Sequence, residues 1–404
     1  MHLAPTERQL RLRAELRAYF RDLMPEGPPP PADTAGQRAL LRRIGGDGML
    51  GLGWPEEYGG QGRGPDEQFV FFDEACRAGA PVSMVTLNTV GPTLMKYGTD
   101  EQKAYFLPRI LRGETVFAIG YSEPEAGTDL ASLRTRAVRD GERGAGAPAA
   151  GTGDGADWLV DGQKIFTSNA HNADWIWLAC RTDPDPGTPR HRGISIILVP
   201  TDAPGFSWTP IETVGGLMTT ATYYDSVRVP AGNLVGPENG GWGLITNQLN
   251  HERVALAAIG MQAEDFYASA LRHARTPDPV TGKRRIDEPW IRIRAAEAHA
   301  RLAATRLLNW RLVGDVGAGR LGPGDASGVK FAGTESAVEV YRMCQEIAGG
   351  AGLVRAGSPG AFDGGELERM NRAAQINTFG GGVSEVQREI VAMMRLGMKG
   401  RGRR

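Results

Sequence analysis

Residues 242–275 read WGLITNQLNHERVALAAIGMQAEDFYASALRHAR. No proline interrupts the stretch, and its apolar residues recur at helical spacing, which predicts one long helix. Ile245, Leu249, Leu256 and Ile259 fall on one stripe, and Glu252 falls on the same stripe. A carboxylate on an apolar stripe is costly unless it is paired or used. Burial raises its pKa and makes it a better base near neutral pH. Pairing with Arg253 or another arginine at the rim is the competing reading of the helix alone.

Working outward, the pattern stays helical toward the C-terminus, with helices expected over 290–312, 327–347 and 385–396. Two glycine-rich loops punctuate them, AGGAGL (348–353) and FGGGVS (379–384). Upstream the character changes. TVFAIGYS (115–122), DWIWLAC (174–180), ISIILVP (194–200) and TATYYDSVRVP (220–230) are short apolar runs between Gly, Pro and Asp. They predict an antiparallel β-domain. The segment 141–157 has almost nothing to bury and reads as a flexible hairpin loop. From Thr6 to about Leu111 the signals are again helical, and Thr6 with Gln9 forms a capping-box pattern. The chain is therefore expected to be an α+β multi-domain protein, divided at 1–114, 115–230 and 231–404.

Composition narrows the function. The 404 residues carry 46 basic and 47 acidic side chains, a net charge of −1, so nothing drives binding to nucleic acid or an anionic membrane. No run of about 18 apolar residues is present, so no membrane-spanning helix is expected. Cys76, Cys180 and Cys344 lack CxxC spacing, which suits a reducing cytoplasm. Histidines are scattered without HExxH, so no metal site is expected. The basic tail at 399–404 reads as a solvated terminus, with RNA or membrane tethering as the minor alternative.

Three further constellations offer chemistry. In YSEPEAGTDL (121–130), Ser122 and Thr128 bring hydroxyls and Gly127 lets a ligand approach the backbone; a capped turn explains the spacing equally well. GQKIFTSNA (162–170) reads as a turn into a strand, with Phe166 and Ser168 alternating onto one face. An aromatic beside a hydroxyl suits a planar heteroaromatic ring, and ordinary sheet packing also accounts for it. Gln345 before Gly349, Gly350 and Gly352, and Gly380–Gly382 before the last helix, could present backbone N–H groups to phosphate, or simply end helices.

Taken in order, these segments resemble the acyl-CoA dehydrogenase family over nearly the whole chain. GLGWPEEYGG (51–60) with KAYFLPRILRGE (103–114) is similar to its N-terminal signature. YSEPEAGTDLASLRT (121–135) resembles its flavin-binding segment, and GQKIFTSNA its flavin-flanking strand. YYDSVRVPAGNLVG (223–236), LNHERVALAA (249–258), QEIAGGAGL (345–353) and GGGVSEVQREIVA (380–392) follow in the family's order.

The resemblance implies a helical N-domain, a β-barrel-like middle domain and a helical-bundle C-domain. It implies FAD between the middle and C-terminal domains and across a subunit interface, and an electron-transfer flavoprotein as acceptor. The implied reaction is α,β-dehydrogenation of an acyl-CoA: a carboxylate takes the α-proton and the β-hydrogen leaves as hydride to flavin N5. Cofactor-binding residues implied in this way are Tyr121, Ser122, Gly127, Thr128, Phe166, Ser168, Gln345, Gly349 and Gly350, with Arg253 beside the substrate.

Many members carry their catalytic glutamate in the loop before the last helix, where this chain has Gly381. Another branch places it on the long helix, at the position of Glu252, which the resemblance makes the catalytic base. The family's Arg-x-x-Phe-Gly segment has no clean match in 272–290, and its loop threonine is Val383. These losses resemble the Glu-bearing subunit of heteromeric actinobacterial enzymes that dehydrogenate steroid side-chain CoA esters, so a homotetramer or a heterotetramer with a second such subunit is expected. Two other roles stay open on the same residues: a non-catalytic partner completing another chain's FAD site, and a flavin monooxygenase or oxidase.

Overall fold

The computed structural model describes residues 4–30, 32–140, 155–248 and 260–398. The first helices are α1 (Glu7–Leu23), α2 (Thr34–Gly46) and α3 (Pro65–Arg77). The expected capping box starts α1: Thr6 N–H donates to Gln9 Oε1 at 2.8 Å, and Gln9 N–H donates back to Thr6 Oγ1 at 3.3 Å. A π-helical stretch, Val85–Val90, runs into α4 (Gly91–Tyr97), and α5 (Asp100–Leu111) ends the helical region. Phe106 of α5 packs edge-on against Phe117 and Trp175, with centroids 5.3 and 5.1 Å away, and so seats this layer on the sheet that follows.

The middle region is an eight-stranded sheet: β1 (Phe117–Gly120), β2 (Arg136–Arg139), β3 (Trp158–Lys164), β4 (Trp175–Arg181), β5 (Ile194–Pro200), β6 (Phe206–Glu212), β7 (Met218–Val229) and β8 (Leu234–Val235). Its path is β6-β7-β3-β2-β4-β5-β8, open at both ends, with β1 added on β4. Every residue of β5 and all but the last of β4 are not alternating but buried, so both faces of the sheet are covered there.

The expected antiparallel pairing holds for β2–β3, β3–β7, β4–β5, β5–β8 and β6–β7, and fails along one edge of β4. β1 lies parallel to β4 from Phe117↔Trp175 to Gly120↔Leu178, and β2 meets the same strand in parallel at Arg136↔Arg181. Strand pattern encodes which face is buried and not which way a neighbour runs, and the long connection between β1 and β4 leaves either direction open. One consequence positions the site. β1 and β2 occupy successive parts of one edge of β4, and residues 121–135 leave the sheet between them. β2 and β3 pair antiparallel up to Arg139↔Trp158; of the segment read as a flexible hairpin loop, residues 141–154 lie outside those described.

The C-terminal helices are α6 over 241–248, α7 (Ala263–Arg275), α8 (Pro289–Gly317), α9 (Pro323–Ala348), α10 (Glu366–Ala373) and α11 (Ser384–Ile390). α8 and α9 extend past their expected ends. The stretch expected as one helix over 242–275 is not uniform, since a 3₁₀ turn at Gly260–Gln262 precedes α7. Gly260 is the weakest helix former there. α9 packs against α7, α8, α10 and α11, and Phe266, Ala270, Ile291, Leu302, Val340, Tyr341 and Ile347 form a core separate from that of the sheet. Among the described residues, no helix is long and apolar enough to cross a membrane.

Candidate active site

The segment 121–135 is anchored by a buried ion pair. Lys164 Nζ lies 2.8 Å from Glu123 Oε1 and donates to the Tyr121 carbonyl at 3.1 Å. Glu123 also accepts the backbone N–H groups of Arg134 at 2.6 Å and Thr135 at 2.8 Å, which closes the excursion into a tight loop. Burial alone would raise the Glu123 carboxyl, but the Lys164 charge and these donors outweigh it and hold it below the usual carboxylate range. Complete burial pulls the Lys164 ammonium below its ordinary value, with Glu123 opposing that shift.

On this frame the structure brings together most of the middle-domain residues expected from sequence. Ser122 is half-buried, its carbonyl accepting Ile165 N–H at 2.9 Å. Gly127 and Thr128 are exposed, and the space where a Cβ would stand on Gly127 is open. The reading of GQKIFTSNA as a turn into a strand is corrected: β3 ends at Lys164 and the turn follows it. Phe166 sits at φ 59°, so it and Ser168 do not alternate along a strand. The turn is instead pinned to β7, with Thr167 N–H donating to Thr220 O at 3.0 Å, Thr220 Oγ1 to Thr167 O at 2.6 Å, and Ser168 Oγ 3.1 Å from Thr219 Oγ1. Phe166 remains 62% exposed in a left-handed backbone conformation that a bulky residue rarely adopts. An exposed ring held in a strained turn, with Ser122 and Thr128 on the adjoining loop, fits a flat heteroaromatic ligand bearing a phosphate tail.

Tyr121 connects this loop to the C-terminal helices. Trp177 Nε1–H donates to its phenol oxygen at 3.1 Å, and the phenol donates to Gln248 Oε1 at the end of α6. Glu252 and Arg253 lie outside the described residues.

Gln345, Gly349 and Gly350 form a separate group at the end of α9, and among the described residues no hydrogen bond joins them to the middle-domain group. Gln345 Nε2 donates to Gly352 O at 3.0 Å. Gly349 takes φ 75°, and a Cβ there would lie 2.7 Å from the Arg285 guanidinium carbon. Arg285 donates to the carbonyls of Ile347 at 2.8 Å and Glu346 at 3.1 Å, so a basic residue from the 272–290 stretch caps α9 at this glycine pair. The last glycine-rich loop is fastened by Lys330, whose buried Nζ donates to Asn377 O at 2.9 Å and Gly382 O at 2.7 Å. Gly381 and Gly382 both have positive φ, 65° and 102°. Val383 takes the N-cap position of α11 and makes no side-chain cap.

Sequence reasoning missed Lys164, Glu123, Gln248, Arg285 and Lys330. Lys164 left a faint signal, since it stands in phase with Trp158 and Val160 on the inward face of β3 beyond a bulge. Lys330 stands among buried residues of α9 in the same way.

Three family models of the acyl-CoA dehydrogenases match in register with this architecture: the N-terminal domain over 6–114, the middle domain over 118–227 and the C-terminal domain over 239–396. Acyl-CoA dehydrogenase FadE26 of Mycobacterium tuberculosis is 49% identical over 98% of this chain and 99% of its own. FadE29 of the same organism is 46% identical over 96% of each. Among solved structures, the Tcur3481-Tcur3483 steroid ACAD superposes with TM-score 0.89 at 50% identity, covering 99% of this chain and 100% of that one. The ChsE4-ChsE5 complex from Mycobacterium tuberculosis does so with TM-score 0.88 at 47% identity, covering 99% and 100%. With all three domains matched in order and relatives this close over nearly the full length, the chain belongs to the acyl-CoA dehydrogenase family and is an acyl-CoA dehydrogenase.

Proposed function

We propose that this chain is the Glu-bearing subunit of a heteromeric acyl-CoA dehydrogenase that acts on bulky CoA esters of the steroid side-chain type, with Glu252 as the base. The observation that carries this reading is the backbone at Gly381. This glycine stands where many relatives carry the catalytic glutamate, and its φ of 65° would cost an L-residue about 1–2 kcal/mol. The base must then come from elsewhere, and Glu252 is the carboxylate on the apolar stripe of the 242–275 segment. Likeness to a steroid ACAD and to a two-component complex supports both the substrate class and the second subunit.

FAD, when bound, supplies the acceptor for the β-hydride. The chain's own residues do the rest. Ser122, Thr128 and Ser168 offer hydroxyls to the ring and diphosphate, Phe166 covers the ring, and Tyr121 and Gly127 shape the loop. Gln345, Gly349 and Gly350, on the end of α9 and not on the middle-domain sheet, serve the FAD of a neighbouring subunit in this reading. Glu252 takes the α-proton once the thioester carbonyl is polarised, and Arg253 lies beside the acyl-CoA. Three free cysteines, two of them buried, support a cytoplasmic setting.

The test is purification of the chain alone and co-expressed with a second acyl-CoA dehydrogenase-like subunit, reading the flavin-to-polypeptide ratio and turnover with electron-transfer flavoprotein. Little flavin alone, and flavin with turnover of a steroid side-chain CoA ester in the mixture, is expected. About one FAD per chain in a self-assembled tetramer would overturn the heteromer, and turnover confined to short straight-chain esters would overturn the substrate class.

A further inference from the structure

Gln248 is the last described residue of α6, four positions before Glu252. It is 1% exposed, its Oε1 accepts the Tyr121 phenol, and its Nε2 has no hydrogen-bond partner among the described residues. An orphaned buried amide donor costs about 1–3 kcal/mol, so an apolar residue would serve stability better at this place. The amide is there for what its oxygen does.

Tyr121 is itself held at both ends. Its carbonyl accepts Lys164 Nζ at 3.1 Å, and its phenol oxygen accepts Trp177 Nε1–H at 3.1 Å, with Trp177 fully buried in β4. The phenol hydrogen is thereby left for Gln248 Oε1. A chain of bonds thus runs from the sheet through the cofactor segment into α6. Rotating α6 by one residue would swing Gln248 by about 100° and break it.

We propose that Tyr121 and Gln248 are positioning residues that fix the rotation of α6 against the cofactor-binding loop, and that this alignment sets the rate at which the base, four positions on in sequence, takes the α-proton. Neither acts on the reacting atoms. The pair is neutral, so it adds no charge beside the base. This inference rests on the reading of Glu252 as base.

The test uses the flavin-loaded enzyme with its partner subunit and compares Tyr121→Phe, Gln248→Met, the double variant and Glu252→Gln. A misaimed base slows proton removal, and a displacement of about 1 Å costs on the order of 10²-fold in rate. Each single variant is expected to keep FAD and KM, and to lose about 10- to 100-fold in the rate of flavin reduction. The isotope effect with α-deuterated substrate should rise, and the double variant should be no worse than either single one, since both remove the same bond. Tyr121→Phe removes a single oxygen and decides the matter even where Gln248→Met fails to fold. Wild-type reduction rates and isotope effects in Tyr121→Phe, with Glu252→Gln inactive, would overturn this inference alone. Retained reduction in Glu252→Gln would overturn the base assignment, and this inference with it.

Discussion

Lys164 and Glu123 form an ion pair inside the middle domain, Nζ to Oε1 at 2.8 Å, with side-chain exposures of 0% and 6%. Two charges at this depth persist because their remaining donors and acceptors are used: the Tyr121 carbonyl on one side, the Arg134 and Thr135 amides on the other. The pair ties the end of β3 to the cofactor loop. It links the sheet's stability to the site's shape.

Breaking one half of this pair should cost more than removing both. Lys164→Met is expected to destabilise the fold by about 3–5 kcal/mol in urea unfolding, with Lys164→Met/Glu123→Gln recovering much of the loss. The pH dependence gives a signed check. In the wild type the Glu123 carboxyl is lowered, so its stabilisation is present above its unfolded value of 4.5 and is lost as pH falls through the folded value. In Lys164→Met the Lys164 charge no longer opposes burial and only the Arg134 and Thr135 donors do, so that carboxyl rises from its wild-type value. Relative to wild type, the variant should therefore lose less stability as pH falls below about 4.5.

Phe166 separates ligand binding from folding. Its ring is 62% exposed, so Phe166→Ala should shift stability of the flavin-free protein by no more than about 0.5 kcal/mol. A lost ring–ring contact should weaken FAD binding roughly 10-fold, read by flavin fluorescence. Phe166→Gly should weaken FAD binding similarly while stabilising the flavin-free fold by about 1 kcal/mol, because glycine accepts φ 59° without strain.

The three-region fold is legible because period and composition change sharply near residues 114 and 230, and Thr6 and Gln9 mark the first helix by their spacing. Glu252 stands out in the sequence as a carboxylate on an apolar stripe, and it lies outside the described residues. The parallel pairing of β1 with β4 is not legible, since alternation gives faces and not directions. The buried Lys164–Glu123 pair escaped for a related reason. A lysine in a strand reads as an exposed residue, although its even spacing from Trp158 and Val160 puts it on the inward face of β3. The strain at Phe166 is likewise a property of the turn's backbone and leaves no mark in residue type.

Val383 stands at the N-cap of α11 with φ −62° and ψ 146°, and offers no side-chain acceptor to the first turn. Val383→Thr should supply one and raise stability by about 1 kcal/mol, read as an increase in Tm. An unchanged Tm would mean that the first-turn N–H groups are already satisfied.

Lys330 should matter to the loop more than its distance in sequence suggests. Its Nζ bridges Asn377 O and Gly382 O, and Lys330→Met removes both bonds at two half-buried loop residues. A loss of about 2–4 kcal/mol is expected in urea unfolding, together with faster amide exchange confined to residues 377–388.

The most direct test of the account is the rate of flavin reduction by a steroid side-chain CoA ester, followed by absorbance in rapid mixing, for the wild-type complex and for Glu252→Gln. The account predicts equal flavin content and ester binding, and a loss in reduction rate of about 10²–10⁴-fold in the variant. Reduction of the Glu252→Gln flavin at the wild-type rate would contradict it.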